Sequence, residues 1–219
     1  MEVNYYHYFQ FLSFVVALIC FSNLKRFSLG LLPYLLFVVC ITELLAANCE
    51  MLGFSSNYKI YSTYFVISTA LYFMIFNKII HWKKRAKHVY HFVAFATVLF
   101  SLIDYFYLEA GSFVRYTMTV TLILHIVLSC ILLAEIAMDD NRQIRMITEP
   151  YFWFASGLLL FSLGTEVTLG LHPFILKNNL MLFGKSLHRV IVPVLNVVMY
   201  SCYTIAILLC KARVRLLPS

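Results

Sequence analysis

The sequence predicts an all-α membrane protein of seven transmembrane helices, with the amino terminus outside and the carboxyl terminus inside. Of its 219 residues, 62% are apolar and only 12% are charged, and the mean hydropathy is +0.84. A soluble domain of this size has no interior large enough to hold that much apolar surface. The apolar residues fall into seven separate runs, and the basic residues concentrate on one side of them.

Each of the seven apolar runs is long enough to cross about 30 Å of hydrocarbon as a helix. The predicted spans are residues 5–22, 31–52, 60–76, 89–107, 116–137, 151–171 and 180–210. The connections between them are short, so we expect residues 1–219 to form a single transmembrane domain. No basic residue precedes the first run, and Lys25 and Arg26 follow it, which favours a retained anchor over a cleaved signal peptide.

The positions of Lys and Arg predict the orientation, because short cytoplasmic loops retain positive charge. Most of the 17 basic residues lie in the loops after the first, third and fifth runs and in the tail. They are Lys25, Arg26, Lys78, Lys83, Lys84, Arg85, Lys87, Arg142, Arg145, Lys211, Arg213 and Arg215. Loops that face anionic lipid explain the net charge of +7, so we expect no nucleic-acid partner.

Four carboxylates interrupt the apolar runs: Glu43, Asp104, Glu135 and Glu166. A charged side chain at the centre of a membrane helix costs roughly 2.5 to 3.5 kcal/mol, so such residues are candidates for a functional site. Glu135 lies about one turn from two aspartates and is interpreted as interfacial. The other three belong to the outer half of their spans and are the strongest candidates.

Helical phase groups the polar residues into stripes, because residues three, four, seven and eleven apart share a face. In span six, Gly157 and Gly164 fall on the face opposite the polar stripe, where small residues allow close helix packing. The stripes are Cys40, Glu43 and Ala47 in span two; Tyr61, Tyr64, Ser68 and Tyr72 in span three; Thr97, Ser101 and Asp104 in span four; Thr121, His125 and Ser129 in span five; Ser162 and Glu166 in span six; and Lys185, Arg189, Asn196 and Tyr200 in span seven.

The charged residues of these stripes fall mostly in the outer halves of their spans. The stripes therefore predict a polar cavity that opens to the outside, in which Arg189 pairs with at least one of Glu43, Asp104 and Glu166. The alternative is that the same groups only clamp helices together. For the acids and Arg189 the sequence leaves both interpretations open, whereas the hydroxyls and His125 alone favour the structural one. The predicted ligand-binding residues are Glu43, Asp104, His125, Glu166, His188, Arg189 and Asn196.

A short internal match predicts a repeat. Residues 35–47, LLFVVCITELLAA, align without gaps on residues 158–170, LLLFSLGTEVTLG, and share two leucines and a Thr-Glu pair. These segments are spans two and six, as expected if spans one to three and five to seven are parallel repeats joined by a fourth helix. Glu43 and Glu166 would then be pseudo-symmetric partners.

Four segments resemble a family of bacterial seven-helix inner-membrane proteins. They are ITELL in span two, NYKIYSTYF opening span three, PYFWFASGLLLFSLG opening span six and LHRVIVPVLN in span seven. The family is similar to stand-alone versions of the seven-helix sensory modules that accompany histidine kinases. The resemblance implies a signalling protein of the inner (plasma) membrane. The predicted topology of this chain is also similar to that of microbial rhodopsins. However, Lys185 is close to the outer end of span seven, whereas a retinal Schiff base needs a lysine in the middle of the membrane.

The favoured function is a receptor or sensor that binds a small molecule in the outer cavity and signals through a histidine kinase or another cytoplasmic regulator. The alternative is a small-solute transporter of SWEET-like topology, which the repeat favours and an apolar inner half disfavours. A zinc hydrolase using Asp104, His125 and His188 ranks lower, because no HExxH, HxxxH or GxSxG motif is present. We expect no cofactor and no metal site; the partners are the lipid bilayer and the ligand, and the sequence leaves oligomerisation open.

Overall fold

The computed structural model describes residues 5–49, 51, 53, 57–108, 115–139, 146–182 and 185–216. Nearly all of the described chain is helical, as the sequence predicts. The α-helices are α1 (Tyr6–Ile19), α2 (Phe21–Arg26), α3 (Leu32–Ala47), α4 (Tyr58–Ile79), α5 (Lys84–Ile103), α6 (Arg115–Met138), α7 (Pro150–Lys177) and α8 (Leu187–Leu216). A π-helical segment, Asp104–Leu108, continues α5, and a 3-10 turn, Met146–Thr148, precedes α7.

Five of the described helices, α4 to α8, are long and apolar enough to cross a membrane. Two others, α1 and α3, are apolar but shorter. This pattern is consistent with a multi-pass membrane protein. The helix α3 is shorter than predicted, since it ends at Ala47 rather than near residue 52.

The start of the seventh span differs from the prediction. The strands β1 (Met181–Leu182) and β2 (Lys185–Ser186) form an antiparallel hairpin before α8. Asn179 has a φ of 47°, in the left-handed region that asparagine tolerates, and it lies just beyond the end of α7. The apolar residues Met181 and Leu182 after this turn pair as a strand with Ser186 and Lys185. The placement of Lys185 on the helix face of Arg189 was wrong, because Lys185 belongs to β2.

The chain divides into two compact units. Unit 1, residues Leu24–Thr121, contains α3, α4, α5 and the first turns of α6. Unit 2, residues Glu2–Asn23 and Leu122–Ser219, contains α1, the rest of α6, α7, the hairpin and α8.

In unit 1, α4 packs against both α3 and α5. The second half of α4 buries large apolar side chains, among them Phe73, Ile75 and Phe76. Tyr90 of α5 donates a hydrogen bond to the carbonyl of Phe73, and its ring centroid lies 4.6 Å from that of Trp82. These contacts join the end of α4 to the start of α5.

In unit 2, α7 and α8 have the most extensive interface among the described helices. A Cβ atom at Gly157 would lie 2.6 Å from Cys202 Cβ, and one at Gly164 would lie 2.7 Å from Leu195 Cδ1. Both glycines therefore face α8 at close range, which confirms the predicted packing face. The rings of Phe154 and Tyr203 stack across the same interface with centroids 5.3 Å apart.

Polar contacts also join the helices of unit 2. The fully buried Ser13 of α1 donates to the carbonyl of Tyr200, 2.7 Å away, and its hydroxyl also lies 2.7 Å from Thr204 Oγ1. Glu149, just before α7, forms an ion pair with Arg213 near the end of α8, with an N–O distance of 2.7 Å. The start of α7 and the end of α8 therefore lie side by side.

Candidate functional site

The seven predicted site residues divide between the two units. Unit 1 contains Glu43 and Asp104, and unit 2 contains His125, Glu166, His188, Arg189 and Asn196. The single cavity that would combine them stays a prediction. Within unit 1, however, the residues around Glu43 form a polar cluster beside a groove.

The polar cluster joins α3 to α4. Tyr61 Oη donates a hydrogen bond to Glu43 Oε2 over 3.1 Å. One turn further along α4, the half-buried Tyr64 lies near Glu43, Tyr61, Ser68 and Tyr72. The acid of α3 thus meets the hydroxyl stripe of α4. We call these five residues the Glu43 cluster.

Next to this cluster, α3 and α4 border a half-open groove of about 450 Å³, a volume typical of small-molecule sites. Two of its residues, Thr42 and Thr63, hydrogen-bond to carbonyls of their own helices, at Val38 and Lys59. Their hydroxyl protons are therefore occupied, and the groove is mainly apolar. Its lining residues are Val38, Ile41, Thr42 and Leu45 of α3, Lys59, Ile60, Thr63, Tyr64 and Ile67 of α4, and Tyr105.

Tyr64 belongs to both the groove and the Glu43 cluster, so an occupant of the groove would touch the cluster directly. The groove residues of α4 span Lys59 to Ile67, which is about 12 Å along a helix at 1.5 Å per residue. Lys59 lies in the first turn of α4, where the groove begins. Among the described residues, its ammonium group has no carboxylate partner.

Asp104 has a structural explanation. It is fully buried, and its Oδ2 accepts hydrogen bonds from the backbone N–H of Thr117 over 3.0 Å and from the Thr117 hydroxyl over 2.5 Å. Thr117 is in the first turn of α6, whose amides have no partner within the helix. Asp104 therefore caps α6 from another segment, and its negative charge suits the positive end of the helix dipole.

The predicted residues of unit 2 take varied positions. His125 of α6 is buried, with 6% of its surface exposed. Asn196 donates from Nδ2 to the carbonyl of Val192 over 3.1 Å, which is a bond within its own helix. Glu166 of α7 is half-buried, and within the described part of the chain its Oε2 has no hydrogen-bond partner.

Arg189 and His188 open α8. Arg189 is exposed and, as far as the described residues show, makes no ion pair with Glu166. Its pairing with Glu43 or Asp104 stays a prediction. The side chain of His188 lies outside the described residues.

Several residues that the structure places in the groove, the Glu43 cluster or the ion pair of unit 2 were not predicted as site residues from the sequence. Tyr61 and Tyr64 lay on the predicted hydroxyl stripe but were interpreted as structural, and Lys59 and Tyr105 were not selected. A lone lysine at the start of an apolar run, apart from the basic clusters, was the available signal for Lys59. Glu149 was also missed, although an acid directly before Pro150 marks a helix start.

No three His, Cys, Asp or Glu side chains come close enough to hold a metal ion in the ranges that the structure describes. Comparison of the chain with models of known protein families, with curated proteins and with solved structures finds no match.

Proposed function

We propose that this protein is a membrane-embedded receptor whose small-molecule ligand binds in the groove between α3 and α4. The observation that carries the proposal is the groove of about 450 Å³, with Tyr64 shared between it and the Glu43 cluster. A ligand there would contact Tyr64 and change the geometry of the nearby hydrogen bond from Tyr61 to Glu43, which joins the two helices. In this proposal the bond between Tyr61 and Glu43 changes when the ligand binds, and does not only hold α3 and α4 together.

The helix α4 offers a path from the groove to the opposite end of unit 1. Its first three turns line the groove, and its last turns pack against α5 through Phe73 and Tyr90. A continuous helix of 22 residues moves as one body, so a shift at the groove also displaces its other end. This displacement would move the basic residues that follow α4, which would contact a cytoplasmic regulator such as a histidine kinase.

The proposed setting is a bacterial inner membrane, with seven spans and the amino terminus outside. In this arrangement α1 and α3 also cross the bilayer, and local thinning or snorkelling compensates for their shorter lengths. Two contacts support their inclusion: α1 packs against the long helix α8 through Ser13, and α3 packs against α4 through Glu43. The distribution of Lys and Arg supports the orientation.

Two observations favour a receptor over the transporter alternative. A division into spans one to three and five to seven would group α1 with α3 and α4, whereas α1 belongs to unit 2. The second half of α4 also buries mainly apolar side chains, including Ile75, Phe76 and Ile79. A solute crossing unit 1 along α4 would meet an apolar barrier beyond the groove.

The two tryptophans of the chain allow a direct test, because Trp82 lies where the signal should arrive. The protein with Trp153→Phe, in phosphatidylcholine vesicles, should show a saturable change in Trp82 emission when decanol is added. Adding Val38→Phe and Ile67→Phe narrows the groove and should abolish the change. The matched control, Ile131→Phe, alters an exposed residue of α6 outside the groove and should keep it.

Saturable binding of decanol without any change at Trp82 would contradict signalling through α4. A change that persists in the variant with the narrowed groove would contradict binding between α3 and α4.

A further inference from the structure

The groove has an uneven distribution of charge. Its single ionic side chain is Lys59, at one end, and the other lining residues are neutral. In the described chain no carboxylate pairs with this ammonium group. The nearby start of α4 adds a second source of positive potential, since the Asn57 side chain does not cap it and first-turn amides lack helical partners.

The remainder of the groove suits a hydrocarbon chain. Val38, Ile41, Ile60 and Ile67 are branched aliphatic residues. The two threonine hydroxyls in the wall donate their protons to carbonyls of their own helices and have no donor left for a ligand. An apolar chain therefore displaces poorly bonded water along about 12 Å of the groove, whereas a sugar or amino acid would lose hydrogen bonds there.

We propose that the ligand is a membrane-borne amphiphile with an anionic headgroup, its chain in the groove and its headgroup on Lys59. This inference rests on the proposed function, because it names the ligand class of the same groove. The source is the lipid phase, since Ile41, Leu45 and Ile67 of the groove wall are 38 to 42% exposed on helices of membrane-compatible composition. A chain enters sideways from the bilayer, while the charged head stays at the end of the groove.

The test compares three decyl probes that differ only in their heads: tritiated decyl phosphate, decanol and decyltrimethylammonium. Binding is measured by scintillation proximity on protein in phosphatidylcholine nanodiscs. Decyl phosphate should bind the wild type at least about tenfold more tightly than decyltrimethylammonium. Lys59→Gln should weaken decyl phosphate by about tenfold, or about 1.4 kcal/mol, without changing decanol.

Two control variants separate the local charge from the general charge of the protein. Lys59→Arg keeps the positive charge and should keep the preference for decyl phosphate. Lys84→Gln removes a lysine at the start of α5, outside the groove, and should leave all three affinities unchanged. Inorganic phosphate should not displace decyl phosphate; displacement would assign the site to a water-soluble anion and overturn the membrane source.

The outcomes distinguish this inference from the proposed function. If all three probes bind equally and the variant with Val38→Phe and Ile67→Phe binds none of them, the groove is a ligand site but the anionic preference is wrong. An unchanged affinity of Lys59→Gln for decyl phosphate would lead to the same conclusion. If no probe binds the wild type saturably, both the inference and the groove as a ligand site fail.

Discussion

The close approach of α7 to α8 at Gly157 makes a quantitative prediction about stability. A Cβ at this position would lie 2.6 Å from Cys202 Cβ and 3.3 Å from the carbonyl oxygen of Met199. Both atoms are fixed to α8, so no side-chain rotation relieves the overlap. Carbon atoms need about 3.5 Å, so the helices would separate by roughly 1 Å and lose a quarter to a half of the dispersion energy there.

We therefore expect Gly157→Ala to lower the free energy of unfolding by about 1 to 3 kcal/mol, as overpacking does in protein cores. The measurement is an SDS titration in mixed micelles, followed by circular dichroism. Gly170→Ala is the matched control on the same helix, because a Cβ there meets nothing within 4 Å. Gly164→Ala should be intermediate, since its Cβ meets movable methyl groups of Leu195.

A compensating change tests the mechanism as well as the direction. Cys202→Gly removes the Cβ atom that the added methyl group of Gly157→Ala would meet, so the double variant should be more stable than the sum of the two single effects predicts. The coupling energy comes from a double-mutant cycle of Gly157→Ala and Cys202→Gly. If Gly157→Ala proves as stable as Gly170→Ala, the interface of α7 and α8 does not lie at Gly157 and the reasoning is refuted.

Glu149→Gln should lower the free energy of unfolding by about 1 to 3 kcal/mol in the same titration, because it removes the carboxylate that pairs with Arg213. Adding Arg213→Met should restore part of this loss. Unchanged stability of Glu149→Gln would show that the ion pair contributes nothing. Asp104→Ala should cost about 0.5 to 2 kcal/mol as a lost helix cap and speed amide exchange in the first turn of α6; exchange equal to wild type would refute the capping role. In a cysteine-free background, the cysteine of Asn57→Cys should react with a membrane-impermeant thiol reagent added outside, and that of Lys84→Cys only with reagent added inside. The reverse labelling pattern would overturn the proposed orientation.

Helix existence and helix faces could be predicted from the sequence because both are local. Hydropathy sums along a segment, so the apolar runs corresponding to α4 to α8 identify five helices of transmembrane length. Phase depends only on spacing, which is why Gly157 and Gly164 were correctly placed on the packing face of α7. The same rule placed Tyr61 and Tyr64 on one stripe of α4.

Only the tertiary structure decided which faces meet. That Glu43 bonds to Tyr61, that a groove opens beside them, and that Asp104 caps α6 all depend on contacts between residues 13 or more positions apart. Helical periodicity gives the direction of a side chain but not the identity of its neighbour, because many helix arrangements bury the same faces. The hairpin before α8 was missed for a related reason: Leu180 and the residues after it are apolar enough for either structure, and the left-handed turn at Asn179 and the pairing of β1 with β2 select the strand.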